Sequence, residues 1–320
     1  MKILLIGATG QIGTELRRQL LSTNHDIAVM VRKQPPIVSG GLRVIVNAEF
    51  DQAAFKAALK GIDHVIYGVG LPEQFTLNED IFDRTNVQIL ERFIDAMLES
   101  DVSQATYIST FEIFETVNGK VSEAAVMRDY SHLTPYYKSM FKAYNMITER
   151  IAARGTRLTT IHPSAVYGGK NTGNGITDYL ENIITRRIMR IPFIIDGNFP
   201  VVHVKSLANA IVRSIGGKAD SYIISDCHTS LREIAHVARR YSNCLIPLGI
   251  PVQMARVGAS FLEAFARITR GTPILSHRQI DYISASSEPI TDKARKALGW
   301  GPMTLDEGIK DFTERLQHAQ

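Results

Sequence analysis

Cysteine is scarce in this chain. Cys227 and Cys244 are the only two among 320 residues, and neither belongs to a Cys-x-x-Cys pair. Two thiols cannot build a disulfide framework, so a reduced, cytoplasmic setting is expected and a metal site is not. A large charge excess is also missing. The 36 basic and 32 acidic residues leave a net charge of +4, and no basic stripe with interleaved aromatics marks a nucleic-acid surface. A local patch for an anionic ligand is compatible with this balance. Long apolar runs are absent. The run Ile3-Leu4-Leu5-Ile6 is too short for a signal peptide and meets Gly7 at once. Residues 245–268 are rich in apolar side chains but carry Pro247, Pro251, Arg256, Glu263 and Arg267, which argues against a transmembrane span. This stretch reads as an amphipathic helix of the core. There are no repeats and no low-complexity linker, so the second half is not expected to be a free domain.

What is there is a hydrophobic fraction of 45%, enough for a sizeable core, and a regular alternation of strand and helix. Short apolar runs mark strands over 2–6, 27–31, 42–46, 62–68, 104–109 and 158–162. Helical spacing falls between them over 12–21, 52–60, 86–99 and 135–154, the last opened by Pro135. This rhythm demands a parallel sheet with right-handed crossovers and helices on both faces. The expected fold is α/β: a doubly wound Rossmann sheet over residues 1–165, with return strands near 201–226. After His162 the pattern loosens. A loop rich in glycine and asparagine spans 168–175, and helices are expected near 176–188, 230–241, 252–269, 276–284 and 304–317. Residues 166–320 are expected to form a smaller C-terminal α/β cap that binds substrate and interleaves with the first part. The 168–175 loop reads as a lid or a surface loop.

Between the first strand and helix stands Gly7-Ala8-Thr9-Gly10-Gln11-Ile12-Gly13. In that context a GxxGxxG spacing makes a phosphate loop. Gly7 permits the tight turn, Gly10 lets the backbone approach a pyrophosphate, and Gly13 lets helix and sheet pack closely. The helix N-terminus offers N–H groups and the positive end of its dipole. At the end of the second strand, a carboxylate would favour NAD by binding the ribose 2′-hydroxyl. This chain has Arg32 and Lys33 there and no acid, which suits the 2′-phosphate of NADP(H) better than NAD(H).

These residues resemble the extended short-chain dehydrogenase/reductase superfamily of epimerase/dehydratase type, almost end to end. Glu49-Phe50 stands where that family approaches adenine, and Tyr67-Gly68-Val69-Gly70 where its fourth strand meets the cofactor. His162-Pro163-Ser164-Ala165-Val166-Tyr167-Gly168 is similar to the stretch that nears the nicotinamide. Val202-His203-Val204 is similar to its return strand, and Lys293 to Trp300 to its terminal signature. Residues 245–285 look most like the dihydroflavonol-reductase and 3β-hydroxysteroid-dehydrogenase branch. The resemblance implies cofactor contacts from Gly7, Thr9, Gly10, Gln11, Ile12, Gly13, Arg32, Lys33, Glu49, Phe50, Tyr67, Gly68, Val69, Tyr136, Pro163, Ser164, Ala165 and Val166.

The same resemblance exposes a departure. The superfamily pairs a tyrosine with a lysine four residues later, which lowers the phenol pKa and holds the nicotinamide ribose. Here Thr134-Pro135-Tyr136-Tyr137-Lys138-Ser139-Met140-Phe141-Lys142 puts Met140 in the lysine position. Lys138 and Lys142 each lie two residues from it, on roughly the opposite helix face. Ser109-Thr110-Phe111-Glu112 resembles the end of the family's fifth strand, placing Thr110 beside Tyr136. Glu112 is kept from the dehydratase form as a candidate acid/base or a rim carboxylate, with Phe111 replacing its aspartate. His162 is expected to hydrogen-bond within the core, and Asn86 to cap a helix. The resulting expectation is an NADP-dependent oxidoreductase for a carbonyl/alcohol pair on a small molecule, with Thr110, Tyr136 and Glu112 catalytic, in a possible homodimer. The alternatives are a sugar-nucleotide epimerase or dehydratase, or a silent NADP-binding sensor or scaffold.

Overall fold

Strand β1 (Lys2–Ile6) sets the plan of the molecule, because its side chains alternate between two cores. Leu4 and Ile6 enter one, Ile3 and Leu5 the other. Strands buried on both faces read as unbroken apolar runs, and this one does. The structure, a computed structural model, describes residues 1–33, 42–74, 76–125, 134–170, 175–186, 193–271, 273, 275–284 and 287–318. Residues 34–36 and 171–174, part of the expected strand-two end and lid, lie outside these.

After β1 come α1 (Gln11–Leu20), β2 (Asp26–Val31), β3 (Arg43–Val46), α2 (Gln52–Leu59), β4 (His64–Tyr67) and α3 (Asp80–Phe82). A π-helical turn, Asp83–Gln88, joins α3 to α4 (Ile89–Leu98). Then follow β5 (Gln104–Ile108), a 3₁₀ turn at Phe111–Ile113, β6 (Lys120–Val121), α5 (Pro135–Arg154) and β7 (Arg157–Pro163). The second half adds β8 (Ala165–Tyr167), α6 (Gly175–Ile184), β9 (Phe193–Ile195), β10 (Phe199–His203), α7 (Val204–Ser214), β11 (Ser221–Ile224) and β12 (Cys227–Thr229). It ends with α8 (Leu231–Tyr241), β13 (Leu248–Ile250), α9 (Val252–Thr269), α10 (His277–Ser284), β14 (Glu288–Pro289), α11 (Asp292–Leu298) and α12 (Leu305–His318).

Seven strands form the central sheet in the order β11-β7-β5-β4-β1-β2-β3, and every pairing is parallel. Chain order reverses between β1 and β4, so the switch point lies there. One face is covered by α2, α4 and α5 through Phe55, Phe93, Ile94 and Ile147. The other is covered by α1, α7 and α11 through Leu16, Leu20, Leu207, Ile211 and Ala294. Smaller sheets, β12-β10-β8, β13-β9 and β14-β6, lie outside the main one. Strand β10 is shared: Val202 belongs to the second core, and Val201 to a third built from Tyr179, Leu180, Ile234 and Phe312.

Two differences from the sequence reading stand out. Helix α7 was not anticipated, because its strand-like start hides the turn at His203, whose imidazole accepts from Lys205 N and caps the helix. The amphipathic stretch is inverted. In α9 the small residues Ala255 and Ala259 face the interior, beside Ile195 and Ile280, while Met254, Val257, Phe261, Phe265 and Ile268 are exposed. The stretch is therefore not a core helix. Among the described residues no helix is long and apolar enough to cross a membrane.

Candidate active site

The glycine turn sits at the switch point. Gly7 has φ +93°, and a Cβ there would stand 2.6 Å from the Gly68 carbonyl oxygen. A Cβ on Gly13 would stand 2.1 Å from the Gly7 oxygen. Both glycines are therefore demanded by the protein itself. Gly10 is different: the nearest atom to a Cβ there is 3.7 Å away. Its small size is not needed for packing and suits the close approach of a ligand. It also N-caps α1 without any side-chain hydrogen bond, so the first-turn N–H groups, Gln11 to Gly13, lack intrahelical acceptors. Thr9 and Gly10 are exposed, and Ile12 is half-buried.

The segment after β8 is tied down over this turn. Gln11 Nε2 donates to the Gly168 carbonyl at 2.9 Å and to Thr177 Oγ1 at 2.8 Å. Thr177 Oγ1 also accepts from Gly168 N. Gly168 has φ +85°, and a Cβ there would meet the His203 ring at 2.3 Å, so the chain can turn only at a glycine. The turn aims Lys170, whose Nζ donates to the Thr9 carbonyl at 3.0 Å. Lys170 was hidden from the sequence reading within a glycine-rich loop. Its signal is position, a cation two residues beyond Gly168.

Arg32 and Lys33 are both exposed just past β2. Glu49 is exposed beyond β3. The side chains of two candidate contacts turn into the core. Phe50 takes φ 51° and turns its ring into the core onto Phe55, with centroids 6.0 Å apart. Tyr67 is buried between Phe93 and Tyr107. Gly68 is exposed and Val69 half-buried at the carboxyl end of β4. Pro163 and Ser164 are buried at the end of β7, with Ala165 and Val166 half-buried. Ser109 and Ser164 follow β5 and β7, and their buried hydroxyls have no hydrogen-bond partner among the described residues. Orphaned hydroxyls, an uncapped helix and an unfilled glycine at the strands' carboxyl ends together fit a dinucleotide.

The candidate reaction-centre residues converge from the segment after β5 and from α5. Tyr136 is buried, with Thr110 beside its hydroxyl. Thr110 Oγ1 donates to Glu112 Oε2 at 3.3 Å, and the Tyr137 hydroxyl donates to Glu112 Oε1 at 2.6 Å. Burial above all, then the charge of Glu112, holds both phenols well above the usual tyrosine pKa. Spacing alone gives Tyr137 no role, because Phe141 stands four residues on. Met140 lies in an apolar cluster with Phe82, Phe111, Phe114, Tyr136 and Ile223. Lys138 is exposed, and Lys142 reaches Asp83 instead, at 3.0 Å. Neither lysine supplies the missing ammonium.

Supporting residues fix this geometry. His162 is fully buried, and burial pulls its pKa down to about 3, so the ring is neutral. Its Nδ1 lies 3.2 Å from the Thr110 carbonyl, which can only accept, so Nδ1 carries the proton and Nε2 accepts from Thr160 Oγ1 at 3.0 Å. The expectation of a core histidine holds, with a positioning contact added. Asn86 does not cap a helix. It sits in the π-helical turn, accepts from Leu71 N at 2.6 Å, and donates to Leu71 O and Ser139 Oγ. It thereby links the loop after β4 to the helix carrying Tyr136. Glu73, on that loop, accepts from Thr134 Oγ1 at 3.0 Å and from Arg278 of α10 at 2.9 Å. Burial raises its pKa against the pull of Arg278. A cleft of about 740 Å³ opens beside this junction, between Leu77 and Glu79 on one side and Glu263 and His277 on the other.

A parallel doubly wound sheet with a glycine turn at its switch point defines a dinucleotide-binding Rossmann protein. The chain belongs to the family described as NAD(P)H-binding, which matches residues 7–191, more than half of its length. It is 21% identical to sterol demethylase protein B of Methylococcus capsulatus, over 98% of this chain and 99% of that protein. It is 29% identical to an uncharacterized sugar epimerase, YhfK, of Bacillus subtilis, over 54% of this chain and 76% of that one. Its fold is similar to UDP-glucuronic acid 4-epimerase of Bacillus cereus, solved with UDP-glucuronic acid and NAD. That match has a TM-score of 0.78 at 15% identity and covers both chains completely.

Proposed function

We propose that this chain is an NADP-dependent oxidoreductase that reduces a carbonyl on a small molecule. One observation carries the reading: Tyr136 is a buried phenol kept protonated, with its hydroxyl beside Thr110, just beyond the carboxyl end of β5 where Thr110 stands. A neutral phenol is the form a proton donor needs, so the absence of lysine at position 140 harms reduction less than oxidation.

Arg32 and Lys33 would bind the 2′-phosphate. The first-turn N–H groups of α1, with Lys170 above them, would hold the pyrophosphate. When bound, the reduced nicotinamide supplies the hydride. Thr110 and Tyr136 orient the substrate oxygen, and Tyr136 gives it a proton. The Glu112 carboxylate, which accepts from Thr110 and Tyr137, then takes a proton from solvent at its half-exposed edge and passes it through the Thr110 hydroxyl to the Tyr136 phenolate. Residues 166–320 would supply most of the substrate contacts. The two free cysteines suit a reducing cytoplasm.

The test is a substrate panel with NADPH. Hydroxysteroids and sugar nucleotides come first, since the relatives carry sterol and sugar names, followed by simple ketones. Turnover that collapses in Tyr136→Phe at unchanged cofactor affinity supports the reading. Turnover indifferent to that change refutes it. Burial of Met140 among apolar side chains favours a second reading, a silent NADP-binding sensor, which predicts tight cofactor binding with no turnover of any panel member.

A further inference from the structure

His203 does more than cap a helix. Its imidazole is fully buried where β10 passes into α7, and burial keeps the ring neutral by pulling its pKa down. Nδ1 accepts from Lys205 N at 3.3 Å, so Nε2 carries the proton. The ring is gripped from several sides. Tyr167 packs against it edge to face, with centroids 5.0 Å apart. Helix α12 approaches at Gly308, where a Cβ would lie 3.2 Å from His203 Cδ2. One turn further on, Asp311 brings Oδ2 to 3.7 Å from Nε2, while Lys205 and Arg315 hold that carboxylate. Neither Nε2 nor Asp311 Oδ2 has a hydrogen-bond partner among the described residues. The Nε2–H dipole therefore has the carboxylate as a facing group, and the charge orients the ring.

Another side of the ring carries the cofactor half of the molecule. Gly168 lies on it so closely that a Cβ there would stand 2.3 Å from Nε2. Gly169 lies on Val204 in the same way, with 2.9 Å from its Cβ position to Cγ1. Two successive residues with positive φ, 85° and 67°, thus rest on His203 and the start of α7 with no side chain between. Close-packed contacts transmit displacement, so the ring sets the height of this turn. Gln11 and Thr177 grip the turn from its other edge, and its next residue, Lys170, reaches Thr9. Arg315 completes the frame by pairing with Glu15 of α1 at 3.3 Å, so α12 holds both the ring and the helix that follows the glycine turn. We infer that His203 is a positioning residue for the cofactor: its buried ring is the floor of the Gly168–Gly169 turn and sets where Lys170 meets the pyrophosphate. The inference rests on the proposed placing of Lys170 over the pyrophosphate. It also accounts for the residue type. Asparagine would cap α7 equally well but leave the floor empty, and phenylalanine would fill the space without capping the helix or facing Asp311.

The experiment is calorimetric titration of the full-length chain with NADPH and with adenosine 2′,5′-bisphosphate, which lacks the pyrophosphate. His203→Asn keeps a side-chain acceptor for Lys205 N and removes the ring. It should weaken NADPH roughly fivefold, the loss expected for one charge-assisted contact, and leave the bisphosphate unchanged. A role confined to holding the fold together would lower the melting temperature and weaken both ligands alike. In a Lys170→Met background, His203→Asn should change NADPH affinity by less than about twofold, because the two substitutions remove the same contact. Asp311→Asn keeps the shape beside the ring and removes the charge. It should show the same selectivity to a smaller degree, and it decides the matter if His203→Asn does not fold. Equal losses for the two ligands overturn the inference, as does an unchanged NADPH affinity or a loss that adds in full to that of Lys170→Met. Failure of the underlying reading shows itself separately, as a Lys170→Met protein that binds NADPH normally, and it takes this inference with it. No readout here is catalytic, so the outcome is independent of the proposed oxidoreductase activity.

Discussion

Lys170 Nζ donates to the carbonyl of Thr9 at 3.0 Å, so a cation from the second half of the chain stands over the glycine turn of the first. A neutral carbonyl is a modest partner for an ammonium, whereas a pyrophosphate beside it would be a strong one. Lys170→Met should weaken NADPH by about 1 kcal/mol, roughly fivefold. It should leave adenosine 2′,5′-bisphosphate, which lacks the pyrophosphate, unaffected. Fluorescence titration of both ligands checks this, and equal losses for the two would remove Lys170 from the pyrophosphate. Gly10→Val serves as the control for the turn itself. It should abolish dinucleotide binding in a folded protein, since a Cβ at Gly10 meets no protein atom closer than 3.7 Å.

The proposed preference for NADPH rests on Arg32 and Lys33, both exposed past β2. NADPH should bind more tightly than NADH, and the margin should shrink as salt is raised. Arg32→Asp should cost NADPH about 1–3 kcal/mol, for the lost charge-assisted contact, and should spare or improve NADH. Paired titrations of wild type and variant decide it. Tighter binding of NADH to the wild type would assign the basic pair to the solvated surface.

The contrast between these two sites shows what a sequence carries. The phosphate loop is local: β1, the glycine turn and α1 are consecutive in the chain, and Gly13 is dictated by a backbone contact inside that turn, although Gly7 is dictated by Gly68 at the end of β4. Arg32 is placed by strand order alone. Lys170 is not legible in this way, since Gln11 meets Gly168 across 157 positions, and only the folded chain brings them together. Tyr136, Thr110 and Met140 could be found through family spacing, but Tyr137 could not, because its link to Glu112 is set by the 3₁₀ turn after β5. Helix α9 misled for a related reason. Apolar periodicity reveals that a helix has two faces, and packing decides which one is turned outward.

Asp226 is a buried acid outside the reaction centre. It accepts from His203 N at 2.7 Å, Ser206 Oγ at 2.6 Å and Met303 N at 3.0 Å, tying the C-terminal segment to α7. Burial, opposed by those three donors, raises its pKa from 3.8 to about 6. A folded-state pKa above the unfolded one means that the native state binds the extra proton. The resulting stability is full below the unfolded pKa and is lost as pH rises through about 6. Asn at this position cannot titrate. The stability of wild type relative to Asp226→Asn should therefore fall by about 2 kcal/mol between about pH 4.5 and about pH 7.5. Urea melts at the two pH values measure it. A difference that does not change with pH would mean that Asp226 titrates normally.

The reaction centre gives the most demanding prediction. If Tyr136 donates the proton to the substrate oxygen, Tyr136→Phe should remove most turnover while NADPH affinity is kept, lowering kcat and kcat/KM together. Glu112→Gln keeps a hydrogen bond from Tyr137 but cannot carry the returning proton. It should slow turnover by roughly 10²-fold, in the range of a lost general acid or base, with KM little changed. Tyr137→Phe should have a milder effect, acting on the position of Glu112 and not on the reacting oxygen. Met140→Lys restores an ammonium four residues after Tyr136. It should draw the Tyr136 pKa down and move the pH–rate profile to lower pH, a shift that no purely structural role for Met140 would produce. Met140 packs among Phe82, Phe111 and Phe114, and burying a lysine there costs a few kcal/mol. The melting temperature of Met140→Lys must therefore be measured first, with Met140→Leu as the apolar control. Turnover unaffected by Tyr136→Phe but abolished by Glu112→Gln would transfer the proton chemistry to the carboxylate and favour the epimerase or dehydratase variant of this site.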